Sequence, residues 1–343
     1  MTPSVLVPFE QPDWDTQLAS FAGATAFHSA GWARTLHEAY GYTPCHLAVR
    51  MGNRLTAVWP FMGVSSWLTG RRGLSLPFTD VCEPLGEPGL LTGLRAASQD
   101  LARAQGWKTV EWRGGRAQFP DTPAATQFHV HTLDLTGGSA ALQAGLESGS
   151  RRAVRKAEQA GLTLARSRSA EDLRTFYDLL ALTRRKHGVP PQPYAFFRAL
   201  HRNVIAPGQG DVFLARHQGR PIAGILCLHF GRHVLYKYGG SDEAHQQLRA
   251  NNLVMWTAIR HYADAGFATF DFGRTSLDNE GLRRFKLGWG AAEHTAAYTR
   301  WDVARDRFVT AADASSGSHT RIFRALPLPV SRAIGALLYR HIP

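Results

Sequence analysis

Cysteine is scarce in this chain: Cys45, Cys82 and Cys227 are the only three among 343 residues. They are odd in number, lie far apart and form no CxxC pair, which argues against a disulfide framework or a zinc site. Cys227 lies in the apolar run 221–230 and is predicted to be a core residue. Such cysteine usage is typical of a reducing compartment, so we expect a cytoplasmic protein.

Long apolar runs are missing as well. No stretch approaches the roughly 20 residues that a helix needs to span a bilayer, so we predict no transmembrane segment. The N-terminus lacks the basic start and long apolar core of a signal peptide. No Walker A, HExxH, GxSxG or metal-spaced cluster is present. The sequence therefore implies no metal and no tightly bound cofactor.

Acidic residues are in the minority, with 27 Asp and Glu against 39 Lys and Arg, for a net charge of +12. This balance favours an anionic partner, such as a nucleotide-linked small molecule or tRNA. The alternative is that an Arg-rich, Lys-poor composition simply reflects a GC-rich genome. With 44% hydrophobic residues the chain is globular, and its length suffices for two domains. Its oligomeric state stays open.

Hydrophobic periodicity predicts a mixed first half. We predict helices at 29–40 and 92–105, and strands at 5–7, 44–50, 55–64, 74–78, 109–112 and 130–134. Residues 136–139 resemble a joint, so the predicted domains are 1–137 and 138–311.

The second half has a clearer pattern. We predict helices at 148–158, 170–187, 194–205 and 251–265, and strands at 162–166, 211–217, 221–230, 233–238, 268–272 and 293–301. The three strands between 211 and 238 are joined by short turns and should form an antiparallel meander.

The C-terminal 312–343 is predicted to contain a linker at 312–318 and an apolar, Arg-containing helix at 322–339. We expect this helix to pack back on the first domain. Peripheral contact with a membrane surface is the alternative.

Several segments carry specific motifs. They are SGSRRAVRKAEQAGLTL at 148–164, FYDLLALTRRKHGVP at 176–190, the run from Tyr236 to Arg274, and GLRRFKLGWG at 281–290. Together with residues 27–62, they resemble the FemAB-like branch of the GCN5-related N-acetyltransferase (GNAT) superfamily, including its BioF2-like acyltransferases. The resemblance covers about residues 5–310.

This resemblance implies an α/β (α+β) fold of two tandem GNAT-like domains, the first one degenerate, with mixed, mostly antiparallel central sheets flanked by helices. Fem proteins with established roles transfer an amino acid from aminoacyl-tRNA to a peptidoglycan precursor of the cell wall. The long helical hairpin of the best-known members is missing here. The donor implied is therefore either aminoacyl-tRNA or acyl-CoA.

The segment 271–290 supplies the first candidate site residues. The resemblance places the lysine of the Phe285-Lys286 pair where it meets developing negative charge or a donor phosphate; a solvated surface lysine is the alternative. Arg274 follows Gly273 at a strand end and is expected to bind phosphate or carboxylate. Asp271, within an apolar strand, is expected to orient Arg274 or to act as a base.

The resemblance also points to the strand with Tyr236, Lys237 and Tyr238, because the acyl group of a GNAT donor lies against this strand, where the sheet splays. The three side chains are expected to alternate between its sides, with Tyr238 taken as a catalytic candidate and the other two as substrate-binding. Core packing is the alternative for whichever tyrosine faces inward.

Cations near helix N-termini complete the candidates. Residues 241–252 take the place of the GNAT pyrophosphate loop but lack its glycines; Arg249 and Asn252 are expected to help hold phosphate there. Arg152, Arg155 and Lys156 form a basic helix face that would grip tRNA or a nucleotide headgroup. A solvated face is the alternative.

We therefore expect an acyltransferase that acts on an amine of a cell-envelope or polysaccharide precursor. A non-catalytic binding module for RNA or an anionic glycan is the alternative.

Overall fold

The computed structural model describes residues 2–310 and 326–342, and in it the chain divides into two units. The first contains residues 2–128, 295–310 and 338–342, and the second contains 129–294 and 326–337. The predicted linker at 312–318 and the start of the predicted helix at 322–339 lie outside the described residues.

Most predicted helices and strands are present, and the predicted strand at 55–64 is divided into two. The helices are α1 (Trp14–Leu18), α2 (Ala30–Tyr40), α3 (Pro88–Ala104), α4 (Gly138–Gly145), α5 (Ser148–Gln159), α6 (Ala170–Lys186), α7 (Tyr194–Leu200), α8 (Ala250–Asp264), α9 (Glu280–Leu287) and α10 (Leu328–Leu338). The strands are β1 (Ser4–Leu6), β2 (Thr43–Pro44), β3 (His46–Met51), β4 (Arg54–Trp59), β5 (Met62–Ser66), β6 (Gly70–Ser75), β7 (Leu85–Gly86), β8 (Thr109–Trp112), β9 (Thr126–Asp134), β10 (Thr163–Ser167), β11 (Gly210–His217), β12 (Arg220–Phe230), β13 (His233–Ser241), β14 (Thr269–Ser276), β15 (Ala292–Asp302) and β16 (Arg307–Phe308). The elements that were not predicted include α1, α4, β7 and β16.

The helices begin where the sequence supplies caps. Ser29 accepts a hydrogen bond from the amide of Trp32 at the start of α2, and Ser169 does the same for Asp172 at the start of α6. A 3₁₀-helix of six residues, Glu243–Leu248, precedes α8. Among the described residues, no helix is both long and apolar enough to cross a bilayer.

The first unit contains two groups of strands, in the orders β1-β3-β4-β7 and β15-β8-β6-β5-β2. Its core is rich in large aromatic side chains, and Trp59, Phe61 and Trp112 are fully buried. The helix α3 packs on β3 and β4.

The second unit is built on a sheet in the order β10-β11-β12-β13-β14. The strands β10 to β13 pair antiparallel, which confirms the predicted meander, and β14 joins β13 in parallel. The helix α6 packs on β12 and β13, while α8 packs on β11 and β12 and is itself covered by α4 and α5. The predicted mixed α/β architecture with mostly antiparallel sheets is thus confirmed.

Each unit contains an antiparallel hairpin, then a helix, then a strand parallel to the second hairpin strand. In the first unit β6 pairs with β8 over Arg72–Ser75 and Thr109–Trp112. In the second, β13 pairs with β14 over His233–Leu235 and Thr269–Asp271, although the two strands continue to Ser241 and Ser276. The parallel strands of the second unit therefore separate beyond their first three residue pairs.

The C-terminal helix α10 makes its described contacts in the second unit. Arg332 donates to a carboxylate oxygen of Asp178 at 2.6 Å, and Gly335 lies against the backbone of Pro191. The residues after it belong to the first unit, where the hydroxyl of Tyr42 donates to the carbonyl of Tyr339 at 2.9 Å.

Candidate functional site

A cavity of about 280 Å³ opens in the second unit beside the part of β13 that has left β14. Its lining comes from α6, β12, β13, the turn before α8, α8 and α9: Thr183, Lys186, His187, Ile225, Tyr236, Gly239, Gly240, Ser241, Glu243, Gln246, Asn251, Met255, Leu282 and Phe285. Gly240 lets α6 approach closely, since a Cβ there would lie 2.5 Å from the backbone nitrogen of Leu180. Of the predicted site residues, Tyr236 and Phe285 line this cavity.

A second cavity, of about 190 Å³, adjoins the first at the N-terminus of α8. Arg249 and Asn252, both predicted for phosphate binding, line it, and Phe285 lines both cavities. Arg249 has the left-handed φ of 57° and directly precedes the first residue of α8. Four predicted residues from three separate segments are thus brought to one continuous site.

The acidic side chains at this site are paired with cations. Glu243 lies 2.7 Å from the ammonium of Lys186, and Asp242 lies 2.9 Å from the guanidinium of Arg220. Pairing removes much of the repulsion that these carboxylates would otherwise exert on an anionic ligand at the start of α8.

The strand β13 contains a bulge at Lys237. Leu226 of β12 is opposite Tyr238, while the next residue, Cys227, is opposite Tyr236, so Lys237 is an extra residue. A bulge reverses the alternation of side chains beyond it. The regular alternation expected from the sequence is therefore broken.

As a result, the two tyrosines have different surroundings. Tyr236 packs against the core cluster that contains Met255, and burial raises its pKa well above the usual range. Tyr238 instead contacts Phe197 of α7, with ring centroids 5.5 Å apart, and its hydroxyl donates to Gln192 at 2.5 Å. Tyr236 faces the cavity, and Tyr238 is held in the core on the α7 side.

Lys286 is buried, with 2% of its surface exposed, so the solvated-surface alternative does not describe it. Its ammonium donates to the carbonyl of Gly273 at 2.7 Å and to that of Arg274 at 3.1 Å. These bonds fasten α9 to the separated end of β14. The neighbouring Phe285 points to the cavity and packs edge-on against Trp289, at 5.8 Å between ring centroids.

Asp271 and Arg274 lie in β14 on either side of Gly273, whose carbonyl accepts a hydrogen bond from Lys286. A carboxylate oxygen of Asp271 accepts a hydrogen bond from the amide of Gly273 at 2.7 Å, and Gly273 has a φ of 70°. The side chain of Arg274 is exposed. Asp271 therefore shapes the backbone to which the ammonium is bound.

A group that the sequence did not suggest surrounds Glu293. Arg283 of α9 binds it through two nitrogens, at 2.7 and 2.9 Å, and thereby holds its pKa at about 2. Glu293 also bonds the Nε2 atom of the fully buried His131 at 3.0 Å. Burial and the charge of nearby Lys286 lower the pKa of His131. The alternation of polar and apolar residues along β9 and β15 was the only signal for this group in the sequence. It cannot show that His131 and Glu293, which are 162 positions apart, come into contact.

The basic face of α5 lies apart from the residues that line the two cavities. Arg152, Arg155 and Lys156 are exposed, while Val154 and Ala157 of the same helix are buried against the core. Within the described residues, none of these three cations has an ion-pair partner. Among all residues that the structure describes, no group of three or more His, Cys, Asp or Glu is arranged to hold a metal ion.

Part of the second unit matches a known domain family. Residues 146–287 match the acetyltransferase (GNAT) domain. No curated protein matches the chain significantly. The fold is similar to that of FemX, with a TM-score of 0.68 at 15% identity over 86% of this chain and 96% of FemX.

Two further solved structures have the same architecture. The structure of L-PGS from Bacillus licheniformis has a TM-score of 0.57 at 13% identity, over 96% of this chain and 98% of that one. A tandem GNAT protein from the clavulanic acid biosynthesis pathway has a TM-score of 0.53 at 14% identity, over 88% and 98%. The predicted resemblance to FemAB-like GNAT proteins and the predicted tandem GNAT-like fold are confirmed.

Proposed function

We propose that this GNAT-type, FemAB-like chain is an acyltransferase that transfers an acyl or aminoacyl group to an amine of a cell-envelope or polysaccharide precursor. The observation that carries the proposal is the separation of β13 from β14, with a cavity beside it that reaches the N-terminus of α8. The donor is aminoacyl-tRNA or acyl-CoA, and both are made in the cytoplasm, where we place the protein.

The donor's phosphate groups would bind at the start of α8. The first amides of a helix point outward and carry partial positive charge, so they favour an anion. Arg249 and Asn252 line the cavity at that point. The acyl group would then extend along β13, whose edge toward β14 has lost its strand partner beyond Leu235 within the described residues.

The reaction forms one bond and breaks one. The acceptor's neutral amine attacks the acyl carbon to form a C–N bond, and the C–S bond to CoA or the C–O bond to the tRNA breaks. The amine's proton passes to a base, and the leaving thiolate or alkoxide takes up a proton. The carbonyl oxygen carries negative charge in between and needs a fixed cation or N–H donor.

The buried ammonium of Lys286 is our candidate for that cation. Two backbone carbonyls fix it at the separated end of β14. It lines neither of the two cavities, so the donor's carbonyl would have to reach it past Phe285, which lines both. We assign Asp271 the role of positioning the Gly273 turn, and Phe285 and Tyr236 the role of enclosing the acyl group. Tyr238 acts on the site through β13, and Arg274 and Lys237 stay predicted substrate-binding residues.

The exposed, unpaired cations of α5 favour a polyanionic donor such as tRNA. The acids before α8 are paired with cations, so they repel the phosphate groups of CoA, which are fewer than those of tRNA, less strongly. Both donors present an acyl carbonyl to the amine, acyl-CoA as a thioester and aminoacyl-tRNA as an ester. The same acceptors can therefore be tested with each donor in one experiment.

Purified protein should be incubated with acetyl-CoA or with aminoacyl-tRNA, plus amine acceptors that include peptidoglycan precursors, and amide products detected by mass spectrometry. We expect a product with one donor. Uncharged tRNA serves as the control, because its binding reports only the basic charge of the chain. Salt-sensitive binding with no product from either donor would contradict the proposal and favour a non-catalytic binding module.

A further inference from the structure

The turn between β5 and β6 in the first unit presents two large apolar side chains to solvent. Trp67 is 85% exposed and Leu68 is 52% exposed. An exposed tryptophan next to an exposed leucine has no structural need at a hairpin turn, where small polar residues suffice. Something other than folding is therefore expected to use them.

The C-terminal residues are fixed against the same hairpin. The carbonyl of His341 accepts hydrogen bonds from Arg72 at 2.8 Å and Thr69 at 3.2 Å, and its ring lies edge-on to Trp67 at 5.5 Å between centroids. The next residue, Ile342, is 55% exposed. Trp67, Leu68 and Ile342 thus form one apolar surface, which we name the Trp67 patch.

Unpaired cations border this patch. Lys108 lies against Gly70 of the hairpin, Arg71 follows in β6, and Arg340 precedes the docked His341. All three are exposed, and none has an ion-pair partner in the part of the chain that the structure describes. The sequence has no Asp or Glu at 60–79 or at 314–343. An apolar tip flanked by exposed cations, with no acid in either of the two segments that form it, is complementary to an anionic, amphipathic surface.

We propose that the Trp67 patch docks the first unit on the surface of a bilayer that contains anionic phospholipid. Tryptophan is enriched at the level of the lipid headgroups, where its ring is apolar and its N–H finds water. The flanking cations would lie among lipid phosphates, as polybasic segments do beside anionic membranes. An RNA ligand would use the cations but would leave the aliphatic part of the patch in water. The inference does not depend on the proposed acyl transfer.

Co-sedimentation with vesicles tests this directly. Wild-type protein should bind vesicles of phosphatidylcholine with phosphatidylglycerol and should bind vesicles of phosphatidylcholine alone far more weakly. The double variant Trp67→Ser with Leu68→Ser should bind about tenfold more weakly, because it removes most of the exposed apolar area without changing charge. Replacing Arg71 or Lys108 with Gln should weaken binding about fivefold each.

Met51→Ser is the matched control, since Met51 is 60% exposed at the β3–β4 turn of the same unit. It should bind vesicles like the wild type. All substituted side chains are exposed, so the thermal unfolding midpoints of the variants should match that of the wild type.

Equal binding by the Trp67→Ser, Leu68→Ser variant and the wild type would overturn the proposal. So would a wild type that ignores anionic vesicles. If the substitutions weakened binding to tRNA while vesicles stayed unbound, the patch would be a nucleic-acid contact and the proposal would be wrong.

Discussion

The two parallel strand pairs of this chain begin alike and end differently. In the first unit, β6 and β8 stay paired along the whole of β8, up to Ser75 and Trp112. In the second, β13 and β14 part after Leu235 and Asp271, and a cavity lies beside the freed length of β13. The same order of hairpin, helix and strand thus yields a parallel pair that stays together in one unit and a pair that separates beside a cavity in the other.

Side chains close the first pair. Trp107 covers β6 so closely that a Cβ on Gly73 would lie 2.1 Å from its ring. On β8, the buried Glu111 accepts hydrogen bonds from Arg113 at 2.7 Å and Arg300 at 2.5 Å. In the second unit, small residues and the bulge at Lys237 occupy the matching stretch. The two parallel pairs of this chain therefore differ in what fills their ends.

Replacing Glu111 with Gln, at the closed pair, should have the largest effect on stability. It leaves the buried guanidinium of Arg113 without its carboxylate, which costs about 3 kcal/mol in the free energy of unfolding. Urea titration measures this. Donor binding in the second unit should be unaffected if that unit folds independently of the change.

The same variant has a pH signature. Burial alone would raise the pKa of Glu111, but Arg113 and Arg300 overcome this and hold it at about 2. A carboxyl with a depressed folded-state pKa contributes stability that is present above its unfolded pKa and is lost as pH falls toward 2. The wild type should lose that contribution in acid, while the Gln variant should not. Parallel pH curves for both proteins would contradict the assignment.

In the separated pair β13 and β14, Lys286→Met tests the ammonium of α9 that is bound to the end of β14. Methionine keeps the length of the apolar stem but removes the ammonium, so turnover should fall about 100-fold while donor binding changes little. Steady-state kinetics measures both quantities.

Arg284→Met is the control, because Arg284 is an exposed cation on the same helix. It should retain turnover. Unchanged turnover of Lys286→Met in folded protein would remove Lys286 from the mechanism.

Filling the open site should have a smaller effect. Asn251 is exposed, is the second residue of α8 and lines both cavities, so Asn251→Trp should weaken donor binding about tenfold. Gly89→Trp makes the matched change, since Gly89 is the second residue of α3, is exposed and has no atom near its Cβ position. Isothermal titration should show normal binding for the control. Equal loss in both variants would mean that the cavity is not the donor site.

Much of this architecture could be predicted from the sequence, because it depends on local signals. The helix α2 was predicted to begin at Ser29, the short turns between apolar runs predicted the meander, and β8 was predicted at its observed bounds. The motifs around Phe285 and Tyr236 predicted residues that line the cavity, because each motif is a continuous stretch of sequence that can be recognised without knowing the fold.

Other features depend on contacts between distant residues. Nothing near Lys237 in the sequence marks it as the bulged residue. The shift in register arises on the partner strand, where Leu226 and Cys227 are opposite Tyr238 and Tyr236. The predicted strand at 55–64 hid the break between β4 and β5. The predicted strand at 74–78 began too late to show β6, and with it the turn after β5 that exposes Trp67. The burial of Lys286 follows from the path of β14, which the sequence around the lysine does not encode.

Hydrogen–deuterium exchange with and without the productive donor tests the central claim most directly. We predict that the donor slows exchange of amides at 236–241 and 250–253, on the separated part of β13 and the start of α8. Amides of β6 and β8 should exchange at the same rates in both samples. Protection of β6 and β8, or of neither pair at saturating donor, would contradict the claim that the separated strands form the donor site.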